Sequence, residues 1–283
     1  MSGTLFVVAT PIGNLEDVTL RALRVLRTVD LIAAEDTRRT ARLLAHHGIS
    51  TPTLSFHQHN TRGRVPQLIA RLRQGASIAL VTDAGTPGVS DPGVELVQAC
   101  VEAGVTVDPI PGVSAPLTAV IASGFPMIPL TILGFAQARS KDRITWLRNV
   151  MAIGNTVTFF ETPHRIAQTL SDAASIFGER QIILARELTK AHQQFVRGTA
   201  RELSSGFGEA RGEYTVVVGP IVPPEIASNA VNESAVFLDF CRTTETTDLS
   251  RRSAINAVAV RHGISARQVY AIVERAKDMV NDQ

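Results

Sequence analysis

The stretch Ser77-Ile78-Ala79-Leu80-Val81, followed by Thr82-Asp83-Ala84-Gly85-Thr86-Pro87-Gly88-Val89-Ser90-Asp91-Pro92-Gly93, decides the fold. The first five residues read as a short buried strand, and the residues after Gly93 take up a helical pattern. The loop between them holds three glycines, which let the backbone approach a ligand or take positive φ, and two prolines, which stiffen it. Open α/β sheets place ligands beyond the carboxyl ends of their strands, so this loop reads either as a ligand loop or as an ordinary tight turn.

The same punctuation recurs elsewhere. Leu5-Phe6-Val7-Val8-Ala9 runs into Thr10-Pro11-Ile12-Gly13-Asn14, and Val105-Thr106-Val107-Asp108-Pro109-Ile110 runs into Pro111-Gly112-Val113-Ser114-Ala115. Three loops built alike on one sheet edge favour the ligand reading. Neither G-x-x-x-x-G-K-[ST] nor G-x-G-x-x-G occurs in the chain, so these turns do not announce a nucleotide polyphosphate. A ligand with an adenosine end and no phosphates fits better.

Working outward, strand patterns at residues 5–9, 31–34, 54–57, 78–81 and 105–110 alternate with helical patterns at 20–29, 39–47, 64–73, 94–103 and 115–122, which predicts a largely parallel sheet. In the first helix Leu20, Leu23, Leu26 and Val29 share the side expected to pack, and Arg21, Arg24 and Arg27 share a solvated one. The alternation breaks at Gly124-Phe125-Pro126-Met127-Ile128-Pro129, and strand patterns resume at 130–135, 156–160, 182–185, 194–197 and 214–218, the last three close enough to include antiparallel pairing. The expected fold is α/β: one α/β domain over residues 1–124 carrying the ligand loops, and a second over 125–223 facing it across a cleft. A C-terminal helical region over 224–283 follows the Pro cluster at 220–224 and opens on a Ser/Asn/Thr-rich stretch. There, two helical patterns at 253–261 and 265–277 flank Gly263, with Ser265 and Gln268 as a capping box, and form a possible helix-turn-helix.

The chain has 283 residues, 45% of them hydrophobic, and a formal net charge of +2, which excludes disorder and excludes RNA binding through bulk charge. Any nucleic-acid contact must come from local patches. Cys100 and Cys241 are isolated from each other and from any histidine at metal spacing, so neither a zinc site nor a disulfide framework is expected. His57 and His59 follow the third strand and read as a polar loop, and no metal is expected. With no secretory pattern at the N-terminus and no apolar run of about 18 residues, the expectation is a soluble cytoplasmic protein without a membrane partner.

The runs ATPIGNLEDVT from Ala9, LIAAEDTRRT from Leu31, LVTDAGTPGVSDPG from Leu80, PIPGVSA from Pro109, FFETPHR from Phe159 and ARELTK from Ala185, in this order, carry a family resemblance across nearly the whole chain. The sequence resembles the bacterial 16S ribosomal RNA ribose 2′-O-methyltransferases, the small subunit methyltransferase I family of the tetrapyrrole methylase fold. That resemblance implies S-adenosylmethionine as methyl donor and the ribose of cytidine 1402 (rRNA numbering) as acceptor, within 16S rRNA and the 30S subunit. It also implies a homodimer. The donor is expected in the cleft among Ile12, Gly13, Asp83, Gly85, Thr86, Val89, Ser114 and Ala115, with Phe160 and Glu161 approaching from the second domain. Where tetrapyrrole C-methyltransferases have Gly-Gly-Asp-Pro, this chain has Ala84-Gly85-Thr86-Pro87, which counts against a porphyrinoid substrate.

Methyl transfer to a ribose hydroxyl calls for aligned groups and a positioned base. Glu35 and Asp36, at the end of the second strand, are the best acidic candidates, although a helix N-cap is the rival reading of Asp36 and the commoner one for an Asp just after a strand. Asp83 and Asp91 carry the same ambiguity. Lys190, one of three lysines, is a further candidate at the reaction site. Arg38, Arg165, Arg251, Arg252 and Arg267 are candidate RNA contacts, with the competing reading that Arg165 pairs with Glu161. Two rivals stay open: a small-molecule, tetrapyrrole-like methyltransferase, and a non-catalytic RNA-binding or assembly protein.

Overall fold

In the computed structural model, whose described residues are 2–88, 92–206, 212–221, 233–246 and 250–281, the apolar runs become two five-stranded sheets. The first contains β1 (Thr4–Val8), β2 (Leu31–Ala34), β3 (Thr53–Ser55), β4 (Ile78–Val81) and β5 (Thr106–Ile110), ordered β3-β2-β4-β1-β5 and parallel throughout. β2 and β4 are buried at every position. A parallel sheet is covered on both faces, and so its central strands are apolar without alternation. The covers are α1 (Leu20–Thr28), α2 (Thr37–His46), α3 (Thr61–Arg73) and α4 (Val94–Glu102). One apolar cluster joins Leu23 and Leu26 to Ile32 and Val81, and another joins Leu68, Leu72 and Leu96 to Leu80.

The first helix departs from its pattern at one end. Leu20 is 86% exposed rather than packed, and Arg21 is not merely solvated, since it donates to both carboxylate oxygens of Asp108 at 2.9 and 2.8 Å. The helix begins at Thr19, whose hydroxyl caps the Ala22 N–H, so Leu20 sits in a first turn that has not yet reached the sheet.

α5 (Ala115–Ile121) leads into the second sheet, formed by β6 (Leu130–Phe135), β7 (Thr156–Glu161), β8 (Gln181–Arg186), β9 (Gln194–Thr199) and β10 (Tyr214–Val218) in the order β6-β7-β10-β8-β9. β6 and β7 are parallel, whereas β10 runs antiparallel to β7 and β8, and β9 antiparallel to β8. Its helices α6 (Ser140–Ala152), α7 (Ile166–Ala174) and α8 (Ala200–Ser205) have no counterpart in the sequence pattern above. α6 hides its period because a core-facing position holds Arg143, 3% exposed, which ion-pairs with Asp172 of α7 at 2.7 Å.

Both sheets lie in one compact unit, residues 1–221, and the C-terminal helices form a second, residues 222–283. The expected division at 124 falls between the two sheets, inside the first unit. The second unit is a bundle of α9 (Glu233–Thr246), α10 (Arg251–His262) and α11 (Ala266–Asn281) around Val236, Phe240, Val258, Val269 and Val273. α9 lies within the expected helical region but ahead of the two helical patterns singled out there. Gly263 ends α10 at φ +64°, and Ser265 and Gln268 cap α11 reciprocally at 2.9 and 3.3 Å, both as expected.

Arg180 pins the second sheet to its helices. Its Nε donates to the Gly219 carbonyl at 2.6 Å, Nη1 to Val150 at 3.2 Å, and Nη2 to Ile153 and Asn155 at 2.9 and 2.8 Å. Replacing it by Met orphans these carbonyls, so R180M should lose on the order of 3 kcal/mol of unfolding free energy in urea, followed by the fluorescence of Trp146 in the adjoining core. R21M, which breaks an exposed pair, should lose less than about 1 kcal/mol.

Candidate active site

The carboxyl ends of β1, β2, β4 and β5 meet at one edge, and their loops interlock there. The Thr10 N–H donates to the Gly85 carbonyl at 2.8 Å and the Gly85 N–H returns the bond at 2.9 Å, an exchange made possible by Gly85 at φ +85°. The Thr86 hydroxyl donates to the Val113 carbonyl at 3.1 Å, tying the β4 loop to the β5 loop. The β1 loop also meets the turn after β8. A Cβ on Gly13 would stand 2.6 Å from Lys190 Cγ and 2.7 Å from the Leu188 carbonyl oxygen, while the Asn14 N–H donates to the Thr189 hydroxyl at 3.0 Å. Glu187 and Thr189 hold positive φ, 51° and 65°, in that turn.

Between these loops and the second sheet lies a cavity of about 410 Å³. Its loop wall is made by Ile12, by Asp83 through Thr86, and by Ser114, Ala115 and Pro116. Glu35 and Arg39 line it beside Asp83, and Phe135 and Phe160 of the second sheet, with Glu213 just before β10, complete the lining. The sequence reading thus placed Ile12, Asp83, Gly85, Thr86, Ser114, Ala115, Phe160 and Glu35 together, whereas Gly13, in the β1 loop, packs on the turn after β8 and does not line the cavity. Val89 and Asp91 lie outside the described residues. Arg39, Phe135 and Glu213 were not singled out, because nothing in their local pattern separates them from helix, strand and loop residues at large.

The acidic candidates meet different fates. Glu35 Oε2 accepts the Asp83 N–H at 3.1 Å, and Asp83 Oδ1 accepts the Asp36 N–H at 3.0 Å, while Arg39 stands 3.4 Å from Asp83 Oδ2. Burial pushes the Glu35 carboxyl above the ordinary glutamate range, and the charges of Asp83 and Asp36 add to the rise against the pull of the Asp83 N–H and Arg39. Asp36 is the N-cap of α2: its Oδ1 accepts the Arg38 N–H at 2.8 Å, and its hydrogen bonds from the Arg38 side chain and backbone hold it down to about 2. Such a carboxylate is a poor base. Lys190 is engaged by Glu187 at 2.9 Å and does not line the cavity.

Glu161 corrects the expectation that it approaches the donor. It is fully buried, its Oε1 taking the Thr162 N–H at 2.7 Å and Arg165 at 2.8 Å, and its Oε2 taking the Thr169 hydroxyl at 2.7 Å, so it holds α7 in place. Arg165 is accordingly turned to Glu161. Arg38 projects with a side chain 90% exposed. In the C-terminal unit Arg251 pairs with Glu274 and lies over the Tyr270 ring, while Arg252 and Arg267 are exposed.

A sequence profile described as Tetrapyrrole (Corrin/Porphyrin) Methylases matches residues 4–204. The chain belongs to that family. Within it, the chain is 43% identical over 273 residues to a protein of Synechocystis named ribosomal RNA small subunit methyltransferase I, covering 95% of this chain and 97% of the relative. A Bacillus subtilis protein of the same name is 40% identical over 277 residues, with 95% and 93% covered, and one from Thermotoga maritima 46% identical over 218 residues, with 76% and 98% covered. The chain is therefore a member of the ribosomal RNA small subunit methyltransferase I group and a methyltransferase. Among solved structures, diphthine synthase superposes with TM-score 0.61 at 14% identity, covering 82% of this chain and 95% of that one. Uroporphyrin-III C-methyltransferase of Thermus thermophilus, complexed with S-adenosylhomocysteine, gives 0.56 at 17% identity, covering 77% and 97%. Both likenesses establish the shared fold.

Because folding raises the Glu35 pKa, the charged form is penalised only in the folded chain. That cost is full at pH above the raised value and fades as pH falls to the ordinary glutamate range. E35Q should accordingly melt higher than the parent at pH 7–8, with the gap closing toward pH 4, in paired thermal scans. An unchanged gap across that window would contradict the assignment of a desolvated Glu35.

Proposed function

We propose that this protein transfers a methyl group from S-adenosylmethionine to the 2′-hydroxyl of a cytidine ribose, cytidine 1402 (rRNA numbering), in 16S rRNA of the 30S subunit. The observation that carries the chemistry is Glu35: a carboxylate raised by burial, on the wall of a cavity, oriented by the backbone of the β4 loop. The RNA substrate is supported by the names of the relatives above.

The residues present fit the donor. The cavity volume falls in the range of small-molecule sites. Among the described residues its walls carry Glu35, Asp83 and Glu213 against the single cation Arg39, a balance that suits a sulfonium and opposes phosphates. When bound, the donor supplies an electrophilic methyl carbon. Backbone groups of the β1, β4 and β5 loops, with Ile12, Gly85, Thr86, Ser114 and Ala115, hold it, and Phe160 closes it from the second sheet. Glu35 takes the proton from the ribose 2′-hydroxyl as the oxygen forms its bond to the methyl carbon, and the carbon–sulfur bond breaks with its electron pair left on sulfur. Asp83 and Arg39 keep Glu35 in position. Of the five arginines singled out, Arg252 and Arg267 are exposed and open to phosphate contacts, and Arg38, though paired with Asp36, keeps a side chain 90% exposed; Arg165 and Arg251 are held by carboxylate partners. We assign the protein to the cytoplasm and to a homodimer, following the family resemblance.

The decisive experiment is methyl transfer from labelled S-adenosylmethionine to purified 30S subunits lacking the modification, with mass spectrometry of the labelled nucleoside. The expected product is 2′-O-methylcytidine; a methylated base, or label only on a porphyrinoid, would refute the reading. E35Q should lower kcat by roughly 10²- to 10⁴-fold. Parent activity should rise with pH through the elevated Glu35 value and then level off, and the residual activity of E35Q should lack that limb.

A further inference from the structure

β6 and β7 do not run in step. Ile132 stands opposite Thr158 and Phe135 opposite Phe160, so β6 spends one more residue than β7 between the two pairings. In an unbroken ladder Gly134 would stand opposite Phe160, and Phe135 would project from the other face of the sheet. The bulge instead brings Phe135 beside Phe160, with ring centroids 5.3 Å apart and planes inclined at 43°, and both rings line the cavity. Phe160 is half-buried, whereas Phe135 is 46% exposed. Re-aiming a strand to hold a phenyl in water, when the regular register would have set it elsewhere, points to a partner for its free face.

The charge on the walls says how a nucleotide can enter. Glu35, Asp83 and Glu213 repel a phosphodiester, and Arg39 is already turned to Asp83. The acceptor must therefore come in sugar and base first, with its phosphates outside. A ribose whose 2′-hydroxyl reaches Glu35 carries its base across the cavity toward the second sheet, where Phe135 stands.

We propose that Phe135 is the stacking platform for the nucleobase of the nucleotide being methylated, which leaves its neighbours in the RNA and lays its ring on the exposed phenyl face. This rests on the RNA reading above. Unstacked bases are held on aromatic side chains in this way, and the contact tolerates any base because each has a π-face. Phe135 fixes where the ribose sits, and the choice of base falls to polar groups at the ring edge, among which Glu213 is placed to accept from an exocyclic amine.

The test is steady-state methylation of unmodified 30S subunits by F135A, F135L and F135W, alongside calorimetric titration of each variant with S-adenosylhomocysteine. F135A and F135L should raise KM for subunits roughly 10- to 100-fold with S-adenosylhomocysteine affinity kept within about twofold, and F135W should restore KM. Leu keeps an apolar side chain without a π-face, so full rescue by Leu would reduce the ring to packing and overturn the proposal. Unchanged KM in F135A would overturn it too. Matched weakening of S-adenosylhomocysteine binding would assign the ring to the donor's adenine instead and count equally against it. Parent protein that binds S-adenosylhomocysteine yet never methylates subunits would sink the RNA reading and this proposal with it, whereas an active parent isolates the failure to Phe135.

Discussion

The burial of α5 against the second sheet is the interaction on which the rest depends. Ala119 and Val120 of this helix share an apolar cluster with Ile183 and Ala185 of β8, Leu188 beyond it and Val217 of β10. Each large aliphatic side chain buried this way contributes about 1.5–3 kcal/mol. The same helix begins at the β5 loop, so its first residues, Ala115 and Pro116, are cavity wall while its later ones are core. Joining the sheets and shaping the site are one act of packing, and the two sides of the cavity are held at fixed separation.

On that rigid edge, four carboxylates of similar local sequence context acquire different chemistry. Glu35 is lifted by desolvation, Asp36 is held near 2 by Arg38 and its capping role, Asp83 bridges β2 and β4 through the Asp36 N–H, and Glu161 is consumed in anchoring α7. Environment, and not residue type, sorts them into a raised acid on the cavity wall, a cap, a strut and an anchor. Adjacent Glu35 and Asp36 show how sharp the sorting is: one residue of displacement at the end of a buried strand exchanges the cavity for the helix terminus.

The strands and the ligand edge were legible because apolar runs and Gly/Pro punctuation are local signals. The second-sheet helices were not. α6 carries the buried Arg143, whose partner Asp172 lies on another helix, so its period reads as broken until the pair is seen. α9 follows a polar segment that obscured the Val236 and Phe240 spacing. Phe135 was passed over as an ordinary strand residue because a bulge is defined only by the neighbouring strand, whose register no single segment encodes.

The sequence by itself determined the two-sheet α/β architecture, the three glycine-bearing loops on one edge and the family to which the chain is assigned, all of which follow from short-range periodicity and motif. Tertiary structure alone decided that Arg39, Phe135 and Glu213 join the cavity and how each side chain behaves there. Glu35 takes its orientation from the backbone of Asp83, 48 residues away, and its raised pKa from burial by surrounding elements. Desolvation and Coulomb interactions depend on distance in space, and that distance exists only after the strands have paired.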